Sequence, residues 1–245
     1  MKTMPSNIDK YTTGRFRTMT GLLEPKFAEK KKVAILDIGG NTGDYFAYLI
    51  NNGFTKSSLN YNLIDFDPVA LKIAHKRGIT TYQHDIAVGS INSIVKGKFD
   101  IIICTEVLEH LLDPKKLVTQ FSGLLRPGGL VLISLPNENG LFHRIYVLIG
   151  LGIDQLAFEP HKHHHFPTIS QSRIFLRTYF KILSERYFLM MSGENTRFGF
   201  LAGFLHLFPD RGWSFLMEKL PNLFARGTIF LCRPKKTIHN YSRSF

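Results

Sequence analysis

The chain has 245 residues, two cysteines and a formal net charge of +12 at pH 7. This length suits one large domain, and two isolated cysteines exclude a disulfide-rich scaffold and indicate free thiols in a reducing compartment. No apolar run is long enough to span a bilayer, and no secretory-signal core precedes residue 33, so we expect a cytoplasmic protein, with peripheral membrane contact left open. The positive charge is compatible with an anionic partner.

The first 32 residues are polar and basic. We predict a short helix from Tyr11 to Leu22 that folds over a ligand as a lid. Arg15 and Arg17 would then be within reach of a ligand carboxylate, although ordinary surface arginines explain the pattern equally well. We therefore divide the chain into this N-terminal segment, 1–32, and a main domain, 33–245.

An apolar run from Val33 to Ile38 leads into the turn Gly39-Gly-Asn-Thr-Gly43 and a helix from Asp44 to Asn52. The run has the composition of a strand buried on both faces. Glycines allow a tight turn and a close approach of backbone N–H groups to a ligand. A strand, a glycine turn and a helix N-terminus make a nucleotide-type cradle, but the spacing is not the G-x-G-x-x-G of dinucleotide-binding dehydrogenases.

Two further strands are predicted over 60–66 and 80–83, and each has an aspartate at or just after its C-terminal end. Asp65 is placed to accept hydrogen bonds from both hydroxyls of a ribose. Asp67 competes for that role, and Pro68 begins the next helix, which runs to Lys76. Asp85 lies just after the third strand, at the same predicted edge of the sheet, and is either part of the same site or an ordinary loop residue.

The fourth strand, Phe99 to Cys104, is apolar throughout and therefore central; Glu106-Val-Leu-Glu109-His110 follows it. On a helix, Glu106, Glu109 and His110 would share one face, which predicts a cluster of carboxylates and imidazole. Histidine is the usual base near neutral pH. His110 is therefore the candidate catalytic base, with Glu109 beside it.

The remaining elements are predicted to be a helix over 117–125, a strand over 130–134, a helix capped by Ser170, and strands over 181–187 and 225–232. Ile174, Phe175 and Tyr179 would form the buried face of the Ser170 helix. Residues 190–224, rich in Phe, Leu and Gly, read as an insertion with helical pieces at 199–207 and 212–220. This insertion either packs into the core or caps a substrate pocket.

The alternation of strands and helices predicts an α/β fold with a doubly wound, mostly parallel sheet. The motifs of the chain resemble those of class I S-adenosylmethionine (SAM) methyltransferases, and the resemblance implies seven strands with an antiparallel last strand. Asp37-Ile-Gly-Gly-Asn-Thr-Gly43 resembles D-x-G-x-G-x-G, with Asn41 in place of the middle glycine, and Asn tolerates the left-handed backbone that the turn needs. The run from Phe99 to Pro114 resembles F-D-x-x-x-x-x-E-V-L-E-H-x-x-D-P of the ubiquinone-biosynthesis O-methyltransferase branch.

The resemblance covers residues 33–176 and implies a Rossmann-like fold with SAM as the cofactor. The SAM-binding residues that it implies are Asp37, Gly39, Gly40, Asn41, Gly43, Asp65, Phe66, Asp85, Ile86 and Thr105.

The E-x-x-E-H run also resembles a divalent-metal motif in those enzymes and in small-RNA 3′-end 2′-O-methyltransferases. The RNA enzymes add a downstream histidine, which corresponds here to the run 163–165. The metal ligands that the resemblance implies are Glu106, Glu109, His110 and His165. The alternative is that Glu109 only orients His110 or caps the helix.

Three functions remain open from the sequence. The first is methyl transfer, expected at oxygen, to a small apolar, lipid-like or glycan-precursor acceptor. The second is metal-dependent RNA 2′-O-methylation, which the absence of a recognisable RNA-binding module disfavours. The third is a non-catalytic partner protein with a SAM-type fold, for which Asn41 is the one supporting feature. The sequence does not indicate the oligomeric state.

Overall fold

In the computed structural model, the described residues are 10–150, 163–188 and 210–235. The strands are β1 Val33–Ile38, β2 Leu59–Asp65, β3 Thr80–Gln83, β4 Phe99–Thr105, β5 Leu125–Pro136, β6 Phe180–Phe188 and β7 Gly227–Pro234. The helices are α1 Lys10–Ala28, α2 Asp44–Asn51, α3 Pro68–Lys76, α4 Pro114–Val118, α5 Phe121–Leu124, α6 Leu141–Leu148, α7 Ile169–Tyr179, α8 Asp210–Lys219 and α9 Pro221–Phe224. Short 3-10 turns span Lys56–Ser58, Ile91–Ser93 and Leu108–His110.

The seven strands form one sheet in the order β3-β2-β1-β4-β5-β7-β6. Strands β1 to β5 are parallel to their neighbours, whereas β7 runs antiparallel to both β5 and β6. The predicted doubly wound sheet with an antiparallel last strand is confirmed. Because the parallel strands all end at one edge, Ile38 lies beside Ile64 and Cys104, and Thr105 lies beside Ser134. The side chains predicted to form the site are carried at or near this carboxyl edge.

Two apolar layers cover the sheet, one on each face. Helices α1, α2 and α3 contribute to one layer, and α4, α5 and α7 contribute to the other. Helix α1 is longer than predicted, and its Phe16, Met19 and Leu23 are buried in the first layer. Residues 10–28 therefore pack into the core, which the predicted role as a lid over a ligand did not anticipate.

Local predictions failed where short elements replaced long ones. The predicted helix over 117–125 is two helices, α4 and α5, and β5 already begins at Leu125. The cap of α7 is Thr168, not Ser170, because Thr168 and Gln171 form a reciprocal capping box. Ile174 is 69% exposed, so its place on the predicted buried face is wrong. Phe175 and Tyr179 pack partly buried against the core as predicted, and the fully buried residues of α7 are Ile169, Ser172 and Leu176.

The predicted insertion is only partly described. Helix α8 overlaps the helical piece predicted over 212–220, whereas the piece predicted over 199–207 lies outside the described residues. Within the described ranges, none of the helices has the length and apolar character required to cross a bilayer.

Candidate active site

The turn after β1 has the left-handed backbone that its sequence predicts. Gly39, Asn41 and Gly43 have φ values of 69°, 50° and 78°. A Cβ atom on Gly39 would lie 2.5 Å from Val107 Cγ2, so the turn packs tightly against the loop that follows β4. Asn41 therefore occupies the conformation of the glycine that it replaces.

Asp65 joins the ends of β1 and β2. Its carboxylate accepts hydrogen bonds from the backbone N–H groups of Asn41, at 2.9 Å, and Asp67, at 3.0 Å. A carboxylate has about four lone-pair sites, so Asp65 retains acceptor capacity for a ligand. The side chain of Asp67 instead accepts the N–H of Val69 at 2.8 Å and caps α3. The geometry thus favours Asp65 over Asp67 as the ribose ligand.

Asp37 lies in β1, the strand directly before the glycine turn. The Tyr61 hydroxyl donates a hydrogen bond to its carboxylate at 2.7 Å, and both residues are buried. Burial, reinforced by the nearby charge of Asp65 and opposed by the Tyr61 hydrogen bond, raises the pKa of Asp37 to about 7. Asp37 is therefore placed to stabilise the shape of the turn rather than to bind a ligand from an exposed position.

The remaining residues of the predicted SAM set lie around the same edge. Phe66, directly after β2, is 58% exposed. Asp85 accepts the N–H of Ala87 at 2.9 Å in the loop after β3, and Thr105 ends β4. From α1, Arg15 places Nη1 3.9 Å from Glu106 Oε1, so the predicted approach of Arg15 to this edge is observed, whereas Arg17 is exposed.

Glu106, Glu109 and His110 do not share a helical face, so that part of the prediction is wrong. Glu106 has a φ of 54°, and the 3-10 turn begins only at Leu108. The left-handed residue turns the Glu106 side chain toward β5, where it accepts a hydrogen bond from Ser134 Oγ at 2.6 Å.

Glu109 and His110 instead meet His163. One ligand atom from each of the three residues lies within 4.8 Å of the others, and the two imidazole rings are 4.6 Å apart in an edge-to-face arrangement. The segment that carries His163 is held against Glu109 by two backbone hydrogen bonds. The N–H groups of His164 and His165 both donate to the Glu109 carbonyl. His163 thus takes the place predicted for His165 in this cluster, and Glu106 lies outside it.

The Glu109 carboxyl group is buried without compensation. The residue is 1% exposed, and among the described residues neither carboxyl oxygen has a hydrogen-bond partner. Burial, followed by the charge of Glu106, raises the pKa of Glu109 to about 9. A buried polar group in this condition is costly, which marks it as a group that a ligand or ion would satisfy.

The sequence prediction missed Glu138, which follows β5 at the same edge. His163 Nδ1 lies 3.1 Å from a carboxylate oxygen of Glu138. Burial would raise the pKa of Glu138, but the His163 hydrogen bond and the positive charge of Arg226 lower it overall. The ionised carboxylate favours a proton on Nδ1 of His163 and leaves Nε2 available as an acceptor. Its one sequence signal was its place two residues past the end of a central strand.

Comparisons with known proteins show similarity in sequence and in fold. A family model described as a methyltransferase domain matches residues 11–185. The ubiquinone biosynthesis O-methyltransferase of Cupriavidus pinatubonensis is 27% identical over 151 residues, which are 58% of this chain and 57% of that protein. The chain therefore matches little more than half the length of this curated relative.

Two solved structures share the fold. One is a SAM-dependent methyltransferase from Archaeoglobus fulgidus, with a TM-score of 0.53, 17% identity and coverage of 90% of this chain and 94% of that one. The other is the plantazolicin methyltransferase BamL, solved with S-adenosylhomocysteine (SAH) and a desmethyl-plantazolicin analogue. Its TM-score is 0.58, with 18% identity and coverage of 92% and 87%.

The residues at the carboxyl edge fit SAM chemically. Asp65 offers carboxylate oxygens suited to ribose hydroxyls, Phe66 offers an exposed ring suited to stacking on adenine, and Arg15 offers a guanidinium group suited to a carboxylate.

Proposed function

Because the chain belongs to the methyltransferase-domain family, we propose that it is a SAM-dependent methyltransferase that acts on an oxygen of an apolar small molecule. One observation supports oxygen as the target: Glu109 and His110, which follow the strand that ends at Thr105, meet His163, and Glu138 lies behind His163. A hydroxyl nucleophile must lose its proton as it attacks, and an oriented imidazole can accept that proton.

We assign the cofactor to the edge formed by the turn after β1 and the ends of β2, β3 and β4. Bound SAM supplies an electrophilic methyl group, and the protein mainly has to position the acceptor and exclude water. Asp65 holds the ribose, Phe66 and Ile86 contact adenine, and Asp85 lies on the adenine side. Gly39, Gly40, Asn41 and Gly43 shape the turn, Asp37 supports it from below, and Thr105 borders the methyl position.

The proton of the acceptor passes to an imidazole of the cluster. His163 is the better oriented base, because Glu138 holds Nδ1 and directs Nε2 away from it. His110 packs edge-to-face against His163 and flanks the acceptor. Glu109, with its raised pKa, is protonated near neutral pH and can donate a hydrogen bond to the acceptor oxygen.

The same three residues would also suit a divalent metal. One carboxylate and two imidazoles within 4.8 Å match the donor set that Mn²⁺ or Zn²⁺ accepts. In that case Glu109, His110 and His163 hold the ion, which would polarise the acceptor oxygen. Loss of activity on treatment with a chelator, followed by recovery with one added metal, would support this assignment. Full activity in a chelator would refute it.

RNA methylation is the second candidate, supported by this possible metal cluster and by the net charge of +12. It predicts binding of short RNA that is strongest at low salt. The non-catalytic alternative loses its one supporting feature, because Asn41 keeps the left-handed turn and its hydrogen bond to Asp65.

The test is a screen with methyl-tritiated SAM against phenols, lipid extracts, glycan precursors and short RNA. We expect label in the organic-extractable products and its loss in His163→Ala. SAH titration of both proteins is the control, and it should give the same affinity. Tight SAH binding without incorporation into any acceptor class would contradict the proposal.

A further inference from the structure

A cavity of about 520 Å³ lies beside the candidate catalytic cluster, between the loop after β4 and helix α7. Its wall is largely apolar and includes Leu108, Leu135, Phe166 and Phe175. This volume lies within the usual range for small-molecule sites. The cavity is therefore large enough for the body of a small organic molecule.

Ser172 lines this cavity and carries an unsatisfied hydroxyl. The residue is 3% exposed, and its Oγ has no hydrogen-bond partner among the described residues. The Thr168 carbonyl, one helical turn earlier, accepts its hydrogen bond from the backbone N–H of Ser172 and not from the Ser172 hydroxyl. Burial of a hydroxyl without a partner is unfavourable, so Ser172 marks a position where a ligand atom would be stabilised.

The position of Ser172 is fixed by its surroundings. The Thr168–Gln171 capping box begins α7, and Asn222 in α9 bonds both the backbone N–H and the hydroxyl of Ser170. Ser172 therefore belongs to a helix turn that is anchored at two points. A preorganised hydroxyl can select a ligand because little ordering is needed on binding.

Glu109 connects this cavity to the candidate catalytic cluster. It lines the cavity and is also one of the three residues that meet at His163. The cavity and the cluster therefore meet at Glu109. Besides Glu109 and His165, the ionisable residues of the described lining are Asp113 and Lys115, which are both exposed.

We propose that this cavity is the acceptor subsite and that it takes an uncharged, largely apolar molecule with two oxygen substituents. One oxygen bonds Ser172 Oγ, and the other, the methyl acceptor, lies at Glu109. This inference rests on the proposed function and narrows its acceptor class. A phosphate-bearing glycan precursor or RNA would need cations in the wall, and Lys115 is the only one among the described lining residues.

The test measures binding of naphthalene-2,6-diol to the SAH-saturated protein, with 2-methylnaphthalene as the probe that lacks both hydroxyls. Ser172→Ala should weaken the diol about fivefold and leave 2-methylnaphthalene unchanged, because one hydrogen bond is lost. Ser172→Leu fills the cavity and should weaken both probes at least tenfold. Thr178→Ala, which removes an exposed hydroxyl from the same helix, is the control and should change neither affinity.

The outcomes separate this inference from the proposed function. Binding of SAH without binding of the diol, or diol affinity unaffected by Ser172→Ala or by Ser172→Leu, overturns the subsite and leaves the methyltransferase assignment intact. Failure to bind SAH overturns the proposed function itself. Tighter binding of uridine diphosphate than of the diol also overturns the subsite.

If Ser172→Leu does not fold, Leu112→Asp replaces it, because Leu112 lines the cavity and is 80% exposed. This variant should weaken the diol, and an unchanged affinity overturns the subsite.

Discussion

The two halves of the carboxyl edge differ in how their buried polar groups are satisfied. On the side of β1 and β2, Asp65 is bonded by two backbone N–H groups and Asp37 by Tyr61. On the side of β4 and α7, Glu109 and Ser172 are buried without partners among the described residues. In the first half, which we call the cofactor half, the two buried carboxyl groups are bonded by the chain itself. In the second, the acceptor half, Glu109 and Ser172 would gain partners only from a ligand or an ion.

This difference predicts that the two halves respond differently to mutation. Removing a group from the cofactor half breaks bonds within the protein, so turn geometry, stability and cofactor affinity change together. Removing a group from the acceptor half breaks few internal bonds, so affinity for the acceptor or activity changes while the fold persists. The following predictions test this contrast, from the largest expected effect to the smallest.

Asp65→Ala should have the largest effect. It removes the acceptor for the N–H groups of Asn41 and Asp67 and two proposed hydrogen bonds to ribose. Because hydrogen bonds to a charged group contribute about 1.5 to 3 kcal/mol each, we expect SAH affinity to fall roughly 100-fold or more. Isothermal titration with SAH measures this. Unchanged affinity would remove Asp65 from the cofactor site.

Glu138→Gln should reduce methyl transfer by roughly 10- to 100-fold, the range found for groups that orient a functional histidine. The amide cannot hold the Nδ1 proton of His163 as the carboxylate does, so the histidine tautomer should change. Nitrogen-15 NMR of the imidazole detects this change without any acceptor, and SAH affinity should be unaltered. A wild-type tautomer in the variant would show that Glu138 does not position His163.

Asp37→Asn should change the pH dependence of stability. Native Asp37 has a pKa of about 7, whereas the unfolded residue titrates near 3.8, so between these values the native state holds one more proton. The free energy of unfolding of the wild type therefore falls as the pH rises from about 4 to 7, and the variant lacks this contribution. Urea unfolding at pH 4.5, 6 and 8 compares the slopes, with Asp85→Asn as the exposed control. Equal slopes for wild type and Asp37→Asn would contradict the buried, protonated Asp37.

Asp67→Ala should have the smallest effect. Asp67 caps α3 through the N–H of Val69, and loss of such a cap costs about 1 kcal/mol. SAH affinity should stay within about twofold of the wild type, because a helix cap contributes stability rather than a cofactor contact. A large loss of SAH affinity with little loss of stability would reverse the assignments of Asp65 and Asp67.

The cofactor half was predictable from the sequence because its signals are local. Asp65 and the glycine turn each lie at the end of an apolar strand, and parallel strands bring their carboxyl ends to one edge. The mostly parallel, doubly wound sheet followed from the alternation of strands and helices along the chain.

The acceptor half was not predictable in the same way. Glu138 and Ser172 come from separate segments, and neither lies in a motif that indicates its neighbours. The resemblance did indicate that the histidine run 163–165 meets Glu109 and His110, but it pointed to His165 where the structure has His163. Glu106 was misplaced because one left-handed residue interrupts the expected helix, and Ile174 was wrongly assigned to the buried face of α7. Such errors arise because the rotation of a short element depends on its caps and contacts rather than on its pattern alone.

The most direct test of the contrast is amide hydrogen exchange with and without saturating SAH. We predict added protection at residues 39–43, 65–67 and 85–86, where the cofactor half would contact SAH. We predict little change around Glu109 and in α7 until naphthalene-2,6-diol is added. Protection confined to residues 108–115 and 163–175 on SAH addition, or no protection anywhere at saturating SAH, would contradict the account.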